Sequence, residues 1–497
     1  MHSRPYLLLA ALALTATPSY ALDIDINSVD SISAAAKTIA ARVVAIYGID
    51  NQATGTVGNG STAPGIFPDP YYWWESGLAW DSMVRYWALT GDATYNDLVR
   101  EGLLFQIGPN ANFTPPNQTK SEGNDDQATW ALAAMTAAEN NFPAPPEGLD
   151  ITWAKLAQNV FDSQVARWDT DTCGGGLRWQ IFSFNTGYTY KNSLSNGNLV
   201  QLAARLALYT GNTTYRDWAQ KATQWSLDVG FIGNSGQVWD GTATTTNCSE
   251  FNHIQWTSSV GTYLSGAAYA ANKSSTKFWQ TLNLLLPVSI NTTFTTQGGV
   301  LYEVACEPSK NCDTDQLAFK AVLARALANA RDLTLDTSLY HRDSNQSSFS
   351  NSSASNPGTP AGSLHASIDA ILRTSAQAAA AQCSGGEAYG TDCGSMWTAA
   401  TWDGTTGLGQ ELSALEILLA NLPAKALAKS NSTSTTGTGS AGNGTATAGS
   451  TSGGPSSSSS AGASTTAATS TNGAMAGSEG STFALVCGLG MAAALVL

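Results

Sequence analysis

In the segment Glu122-Gly123-Asn124-Asp125-Asp126-Gln127-Ala128-Thr129-Trp130, two adjacent carboxylates stand where a glycine-bearing loop runs into an apolar stretch. Two neighbouring carboxyls can divide the work of acid and nucleophile, which is the chemistry that cuts a glycosidic bond. The spacing makes Asn124 the N-cap of a helix, with Gln127 at its third position completing a capping box. Asp125 and Asp126 then occupy the first turn, where the positive end of the helix dipole favours ionised carboxylates. That suits a nucleophile and opposes a general acid. One of the two therefore needs burial, or its neighbour's charge, to raise its pKa, and the pair titrates as a coupled unit. Carboxyls of adjacent residues reach the separation of about 5 to 5.5 Å used for retention more easily than the roughly 6.5 to 9.5 Å of inversion. Acidic residues in a first helical turn are commonplace, so the dipeptide gains weight from its surroundings.

Those surroundings are aromatic. Trp73, Trp74, Trp179 and Trp256 are candidate platforms for sugar rings, with Tyr71, Tyr72 and Tyr188 behind them. Four consecutive aromatics at Tyr71–Trp74 cannot all face one core, so at least one ring meets solvent or substrate. Arg178 near the end of the glycine-rich run Cys173–Trp179, and Lys191 and Asn192 after it, complete the candidate substrate-binding set with Asn124. Loop anchoring is the competing role for Arg178, Lys191 and Asn192. His253 is the one histidine beside a motif and no GxSxG elbow is present, so a serine esterase ranks low. No catalytic metal and no cofactor are expected.

Stepping outward along the chain, His2 and Arg4 precede an apolar run from Tyr6 and then Ser19-Tyr20-Ala21, the pattern of a signal peptide over residues 1–21. The C-terminal apolar run Phe483–Leu497 has no Lys or Arg after it and is shorter than the about 20 residues of a span. Small residues at Asn472-Gly473-Ala474 precede it by a short spacer, which suits a GPI attachment signal over 473–497 with the lipid added at or near Asn472; a single-pass anchor is the alternative. Residues 429–472 are Ser, Thr, Gly and Ala with few large apolar side chains, so they cannot bury a core and read as a disordered stalk. The expected location is the outer leaflet of the plasma membrane and the cell wall.

Cys487 falls in the tail, which leaves six cysteines. The short separations of Cys306/Cys312 and Cys383/Cys393 suggest local staples and leave Cys173 with Cys248. Eleven Asn-x-Ser/Thr sequons, Asn112 and Asn212 among them, agree with export and mark surface positions where glycan is added. A net charge of −14 argues against nucleic acid as a partner, which would need a basic footprint.

Residues 22–428 remain for the folded part. Apolar residues recur there at helical spacing in about twelve blocks, starting near residues 29, 75, 92, 125, 150, 192, 212, 254, 274, 314, 362 and 408. A helix, a Thr-Gly turn and an aromatic recur at Thr90-Gly91 to Tyr95 and again, 120 residues on, at Thr210-Gly211 to Tyr215. Six helical hairpins can stack as an open solenoid or close on themselves. Long, Gly-rich and aromatic loops at 51–70, 108–124, 168–190 and 231–252 favour closure as an all-α (α/α)6 barrel with a site at one end.

Together with Tyr71–Gly77, Cys173–Trp179, Tyr190-Lys191-Asn192 and Asn252–Trp256, the segment Glu122–Trp130 resembles glycoside hydrolase family 76 over nearly the whole folded part. The resemblance implies an (α/α)6 fold and an endo-α-1,6-mannanase acting with retention, Asp125 as nucleophile and Asp126 as acid and base. With the stalk and the tail it is similar to the fungal cell-wall subgroup. That implies α-1,6-mannan or the GPI core glycan as donor, a β-glucan acceptor, and a place in joining GPI proteins to the wall. A wall lectin that binds mannan without cutting it is the alternative, disfavoured by the intact Asp pair.

Overall fold

The computed structural model describes residues 21–48, 63–272, 276–334, 360–386 and 391–424. The chain divides into residues 1–433 and 434–497, and every described residue lies in the first unit. The signal peptide apart from Ala21, the stalk, the GPI signal and Asn472 lie outside the described residues.

Thirteen helices are described: α1 (Val29–Ile46), α2 (Trp73–Thr90), α3 (Asn96–Phe105), α4 (Asn124–Glu139), α5 (Trp153–Ala166), α6 (Ser193–Thr210), α7 (Thr213–Val229), α8 (Thr257–Ala271), α9 (Lys277–Thr293), α10 (Thr314–Leu317), α11 (Phe319–Leu333), α12 (Pro360–Gln382) and α13 (Leu408–Leu419). Each of the twelve expected starts falls within four residues of an observed one, and α10 is a single turn leading into α11. Helix α2 packs on α4, α4 on α6, α6 on α8, α8 on α11, α11 on α13, and α13 back on α2. That last contact closes the ring and makes the fold an (α/α)6 barrel rather than a solenoid. The other long helices lie outside the ring, α3 against α2 and α4, α5 against α4 and α6, α7 against α6 and α8.

Composition sorts the two rings. Outer α1 buries one stripe, Ile32, Ala35, Ala36, Ile39, Ala40, Val43 and Val44, at the three-four spacing of an amphipathic helix. Inner α13 is buried on every side and α8 nearly so, and α4 carries Ala131, Ala133, Ala134, Ala137 and Ala138 where its neighbours approach. The Thr-Gly repeat is a helix stop: Gly91 (φ 79°) and Gly211 (φ 77°) end α2 and α6 in the left-handed region that glycine enters without a Cβ penalty. Between the inner helices, Arg325 of α11 pairs with Asp81 of α2 and Glu416 of α13, and Arg85 of α2 pairs with Glu416. Burial alone would raise the Glu416 carboxyl, but the two guanidiniums hold it down to about 2.

The long loops add a small antiparallel sheet that periodicity did not predict. Strands β1 (Tyr190–Asn192), β2 (Gly241–Ala243) and β3 (Phe251–Asn252) pair in that order, with Asn192 opposite Gly241 and Gly241 opposite Asn252. The Cys173–Cys248 disulfide, with Cα atoms 5.6 Å apart, ties the glycine-rich loop to the β2–β3 connection. Cys306–Cys312 and Cys383–Cys393 are the two local staples. Among the described sequons one departs from the expected surface position: Asn112 is buried and donates from Nδ2 to Ser163 Oγ at 3.0 Å, which leaves its amide no room for a glycan.

Candidate active site

Five of the six inner helices, α2, α4, α6, α8 and α11, bring residues of their first turns to one end of the barrel. There a cleft of about 570 Å³ opens, lined by Trp73 and Trp74 of α2, Asp125 and Asp126 of α4, Leu194 of α6, Ser258 and Ser259 of α8, Asp315 of α10 and Phe319 of α11. The connecting segments supply Gln118, Lys120, Ser121, Glu122, Trp179, Gln180, Asn185, Thr186 and Asp240, with Asn192 from β1.

The N-cap of α4 is Gly123, not Asn124. Gly123 is extended (φ −95°, ψ 164°), and its N–H donates to Asp126 Oδ2 at 2.6 Å. Asn124 is drawn away by tertiary bonds. Its Nδ2 donates to the Arg178 carbonyl at 2.9 Å, and its Oδ1 accepts from Arg167 Nε at 2.9 Å. Gln127 is likewise diverted from the capping box, since Arg167 donates to its Oε1 and its Nε2 donates to the Asn112 carbonyl at 2.8 Å. The one-residue shift puts Asp126 at the third helical position and Asp125 at the second.

Asp125 is 5% exposed, accepts from Asn192 Nδ2 at 2.6 Å on Oδ2, and from the Asp126 N–H at 3.0 Å on Oδ1. A Cβ built on Gly123 would stand 2.3 Å from Asp125 Oδ1 and 3.0 Å from Asp126 Oδ2. These two oxygens are therefore no more than roughly 5.3 Å apart, too close for the gap of about 6.5 to 9.5 Å that inversion uses. Burial pushes the Asp125 carboxyl up to about 6, against the downward pull of the Asn192 bond. Burial first, and then the charge of Asp125, push Asp126 well above the usual carboxylate range. Burial thus outweighs the helix dipole, and of the two carboxyls Asp126 is the one held more strongly toward its protonated form.

The structure brings Trp73, Trp74, Trp179, Trp256 and Asn192 to the cleft with the pair, but the rings play unequal parts. Trp73 stacks on Trp130 with centroids 5.1 Å apart and donates to Gln106 Oε1 at 3.0 Å, so most of it belongs to the core. Trp74 donates to Asp315 Oδ1 at 2.7 Å and Trp256 to Asp240 Oδ1 at 2.9 Å. Trp179 (37% exposed) and Tyr72 (54%) are the open rings of the wall, and Tyr72 is the outward-facing member of the aromatic run.

Lys191, Arg178 and Asn124 do not line the cleft. Lys191 is 0% exposed, its Nζ donating to the carbonyls of Asp169, Thr172 and Gly175 at 3.2, 2.8 and 2.6 Å and pairing with the Asp169 carboxylate. Arg178 pairs with Asp169 at 2.8 Å and lies over the Tyr188 ring. Both anchor the glycine-rich loop. Conversely, Asp240, Asp315, Ser258, Ser259 and Phe319 reach the cleft without any local motif in the sequence. Glu122 lies within the motif yet had no assigned role. Its two carboxyl oxygens are buried without a hydrogen-bond partner among the described residues, and burial pushes it up to about 8.

A family model described as glycosyl hydrolase family 76 matches residues 31–362 and 341–435. The chain belongs to glycosyl hydrolase family 76. It is a glycoside hydrolase. It is 42% identical over 401 residues to mannan endo-1,6-alpha-mannosidase DCW1 of Saccharomyces cerevisiae, covering 80% of this chain and 81% of that protein. It is 38% identical over 403 residues to mannan endo-1,6-alpha-mannosidase DFG5 of the same yeast, covering 80% of each. Among solved structures, Dfg5 from Chaetomium thermophilum in complex with glucosamine superposes with a TM-score of 0.70 at 36% identity, covering 82% of this chain and 94% of that one. An inactive variant of the alpha-1,6-mannanase GH76A of Salegentibacter sp., in complex with alpha-1,6-mannotriose, superposes with a TM-score of 0.58 at 17% identity, covering 78% and 98%; that likeness bears on the fold. In this chain Asp125 and Asp126 lie in the first turn of α4, at the cleft end of the barrel.

Proposed function

We propose that this family-76 enzyme is a retaining endo-α-1,6-mannosidase that hydrolyses α-1,6-mannan or the mannose core of a GPI glycan, or transfers the mannosyl chain to a sugar acceptor such as β-glucan. The observation that carries the reading is the asymmetric Asp pair: Asp125 is held by Asn192 toward its ionised form, while the burial and charge around Asp126 favour its proton. In the first step the Asp125 carboxylate attacks the anomeric carbon as Asp126 gives its proton to the departing glycosidic oxygen, leaving a mannosyl ester on Asp125. In the second, the Asp126 carboxylate takes a proton from the incoming water or sugar hydroxyl, whose oxygen displaces Asp125 and restores the starting configuration.

The names of the yeast relatives support α-1,6-mannan as the substrate class. The N-terminal leader pattern and the C-terminal tail support export, lipid anchoring near Asn472 and work at the outer leaflet and cell wall. The test is incubation with a defined α-1,6-mannose-containing GPI core glycan, with and without β-glucan oligosaccharides, and mass spectrometry of the products. A donor–acceptor adduct shows transfer, and free mannose glycan alone shows hydrolysis. Binding with neither product would move the protein to the mannan-binding lectins.

A further inference from the structure

Between Gln180 and Asn185, both of which line the cleft, the chain leaves the wall through Ile181, Phe182, Ser183 and Phe184. The rings of Phe182 and Phe184 stack on each other, with centroids 5.4 Å apart and planes 16° apart. Phe184 is 71% exposed, the highest value for a large hydrophobic side chain among the described residues. The excursion is pinned at both ends. The Ile181 N–H donates to the Glu122 carbonyl at 3.2 Å, the Asn185 N–H to the Phe182 carbonyl at 3.0 Å, and Asn185 Nδ2 to the Thr119 carbonyl at 3.0 Å. Phe182 is half-buried and backs Phe184, whose outer face is held open to solvent with an unfavourable hydration.

Two observations say what covers it. The first is continuity: Trp179, open to the cleft beside the carboxyl pair, belongs to the same loop, and Asn185 and Thr186 return the chain to the cleft wall. The second is charge. From Trp179 to Tyr190 the chain has no Asp, Glu, Lys or Arg, in a protein of net charge −14. The loop itself offers no counter-charge to a phosphate or a charged peptide; of its neighbouring cations, Lys120 lines the cleft, while Arg178 and Lys191 are paired with Asp169. A pyranose chain is neutral and presents apolar C–H faces that lie flat on aromatic rings.

We propose that Phe182 and Phe184 form an additional sugar subsite at the outer end of the cleft, holding a ring of the glycan chain whose scissile bond lies at Asp125 and Asp126. The inference rests on the glycan-cleaving function above and adds a residue pair that sets chain-length preference. Stacking one sugar on an exposed ring contributes on the order of a tenfold gain in affinity.

The test uses the Asp125→Asn protein, titrated calorimetrically with α-1,6-mannooligosaccharides of increasing length and, separately, with β-1,3-glucan oligosaccharides. Affinity is expected to climb with length and then level. Phe184→Ala in that background is expected to remove the last increment, about tenfold, and to leave the shortest ligands unaffected, with Phe184→Trp restoring it. Loss confined to the mannan series places the subsite on the donor side, and loss confined to the glucan series on the acceptor side. Identical affinities of Phe184→Ala and its parent at every length overturn the proposal, as does failure of the parent to bind either series. A parent dimer that Phe184→Ala converts to monomer, with glycan affinity unchanged, assigns the patch to a second copy of the chain and also overturns it. Cleavage of α-1,6-mannotetraose by the unmodified enzyme tests the parent function separately, since its absence with length-dependent binding intact removes the mannosidase and keeps the subsite.

Discussion

Asn192 donates from Nδ2 to Asp125 Oδ2 at 2.6 Å, while its Oδ1 accepts from the Ser195 N–H at 3.2 Å. One side chain thus caps α6 and orients the carboxylate at the start of α4, locking two neighbouring inner helices to the reacting group. With the bond in place, kcat/KM should rise through about pH 6 as Asp125 ionises. Asn192→Ala removes a donor that favours the ionised form, so this acid limb should move to higher pH and kcat should fall about a hundredfold. A pH–rate profile of the variant checks both. An unmoved limb would mean that Asn192 serves only as a helix cap.

Gly123 leaves the space in which the two carboxyls meet. Its backbone lies in ordinary extended conformation, so Gly123→Ala is tolerated by the chain, at about 1 kcal/mol or less for the changed cap. The added Cβ would stand 2.3 Å from Asp125 Oδ1 and force the pair apart. Activity should fall on the order of a hundredfold or more, with the melting temperature nearly unchanged. Comparing kcat with Tm for this variant separates misplacement from unfolding.

Lys191 is predicted to act on stability rather than on substrate. Its ammonium is enclosed by three carbonyls and the Asp169 carboxylate, so Lys191→Met leaves those acceptors without their cation at a cost of about 3 kcal/mol. Thermal unfolding should show the loss, while KM measured well below the transition stays close to that of the unmodified enzyme. A large rise in KM at unchanged Tm would return Lys191 to the substrate-binding set.

Stability should decline as pH rises from about 5 to 8. Burial raises Glu75, Glu122, Glu303 and Glu411 from the ordinary 4.5 to about 8. Between those values the folded chain keeps protons that the unfolded chain has released. The stabilisation is complete below the unfolded pKa and disappears as pH passes the folded one. The depressed carboxyls, Asp92 and Glu416 at about 2, act only at lower pH and do not oppose this trend. Calorimetric Tm values at pH 5 and pH 8 check the sign, and a higher Tm at pH 8 would contradict it.

Much of this arrangement was legible in the sequence because it is repetitive. Helical periodicity located the hairpins, the Thr-Gly stops marked α2 and α6, and the Asp pair announced itself by adjacency. What stayed hidden depends on contacts between distant segments. Asn124 has the better side chain for an N-cap, but Arg178 and Arg167 capture it, and the cap passes to Gly123. The three strands are two or three residues long, too short for alternation to register. Asp240 enters the cleft from a loop and Asp315 from the single turn α10, both far along the chain, and only tertiary folding brings them to Trp256 and Trp74. Lys191 and Asn192 are sequence neighbours on a strand, so they point to opposite faces, and one meets the cleft while the other meets the loop behind it.

The division of labour within the pair is tested most directly by following the mass of Asp126→Asn protein during turnover of a dinitrophenyl α-1,6-mannobioside. This leaving group departs without a proton, so the first step proceeds, while the second lacks its base and slows. The account predicts a mannobiosyl-enzyme that accumulates, maps to Asp125 by peptide sequencing and is absent when Asp125→Asn is added. No adduct, together with release of the inverted β-anomer, or an adduct on any other residue, would contradict it.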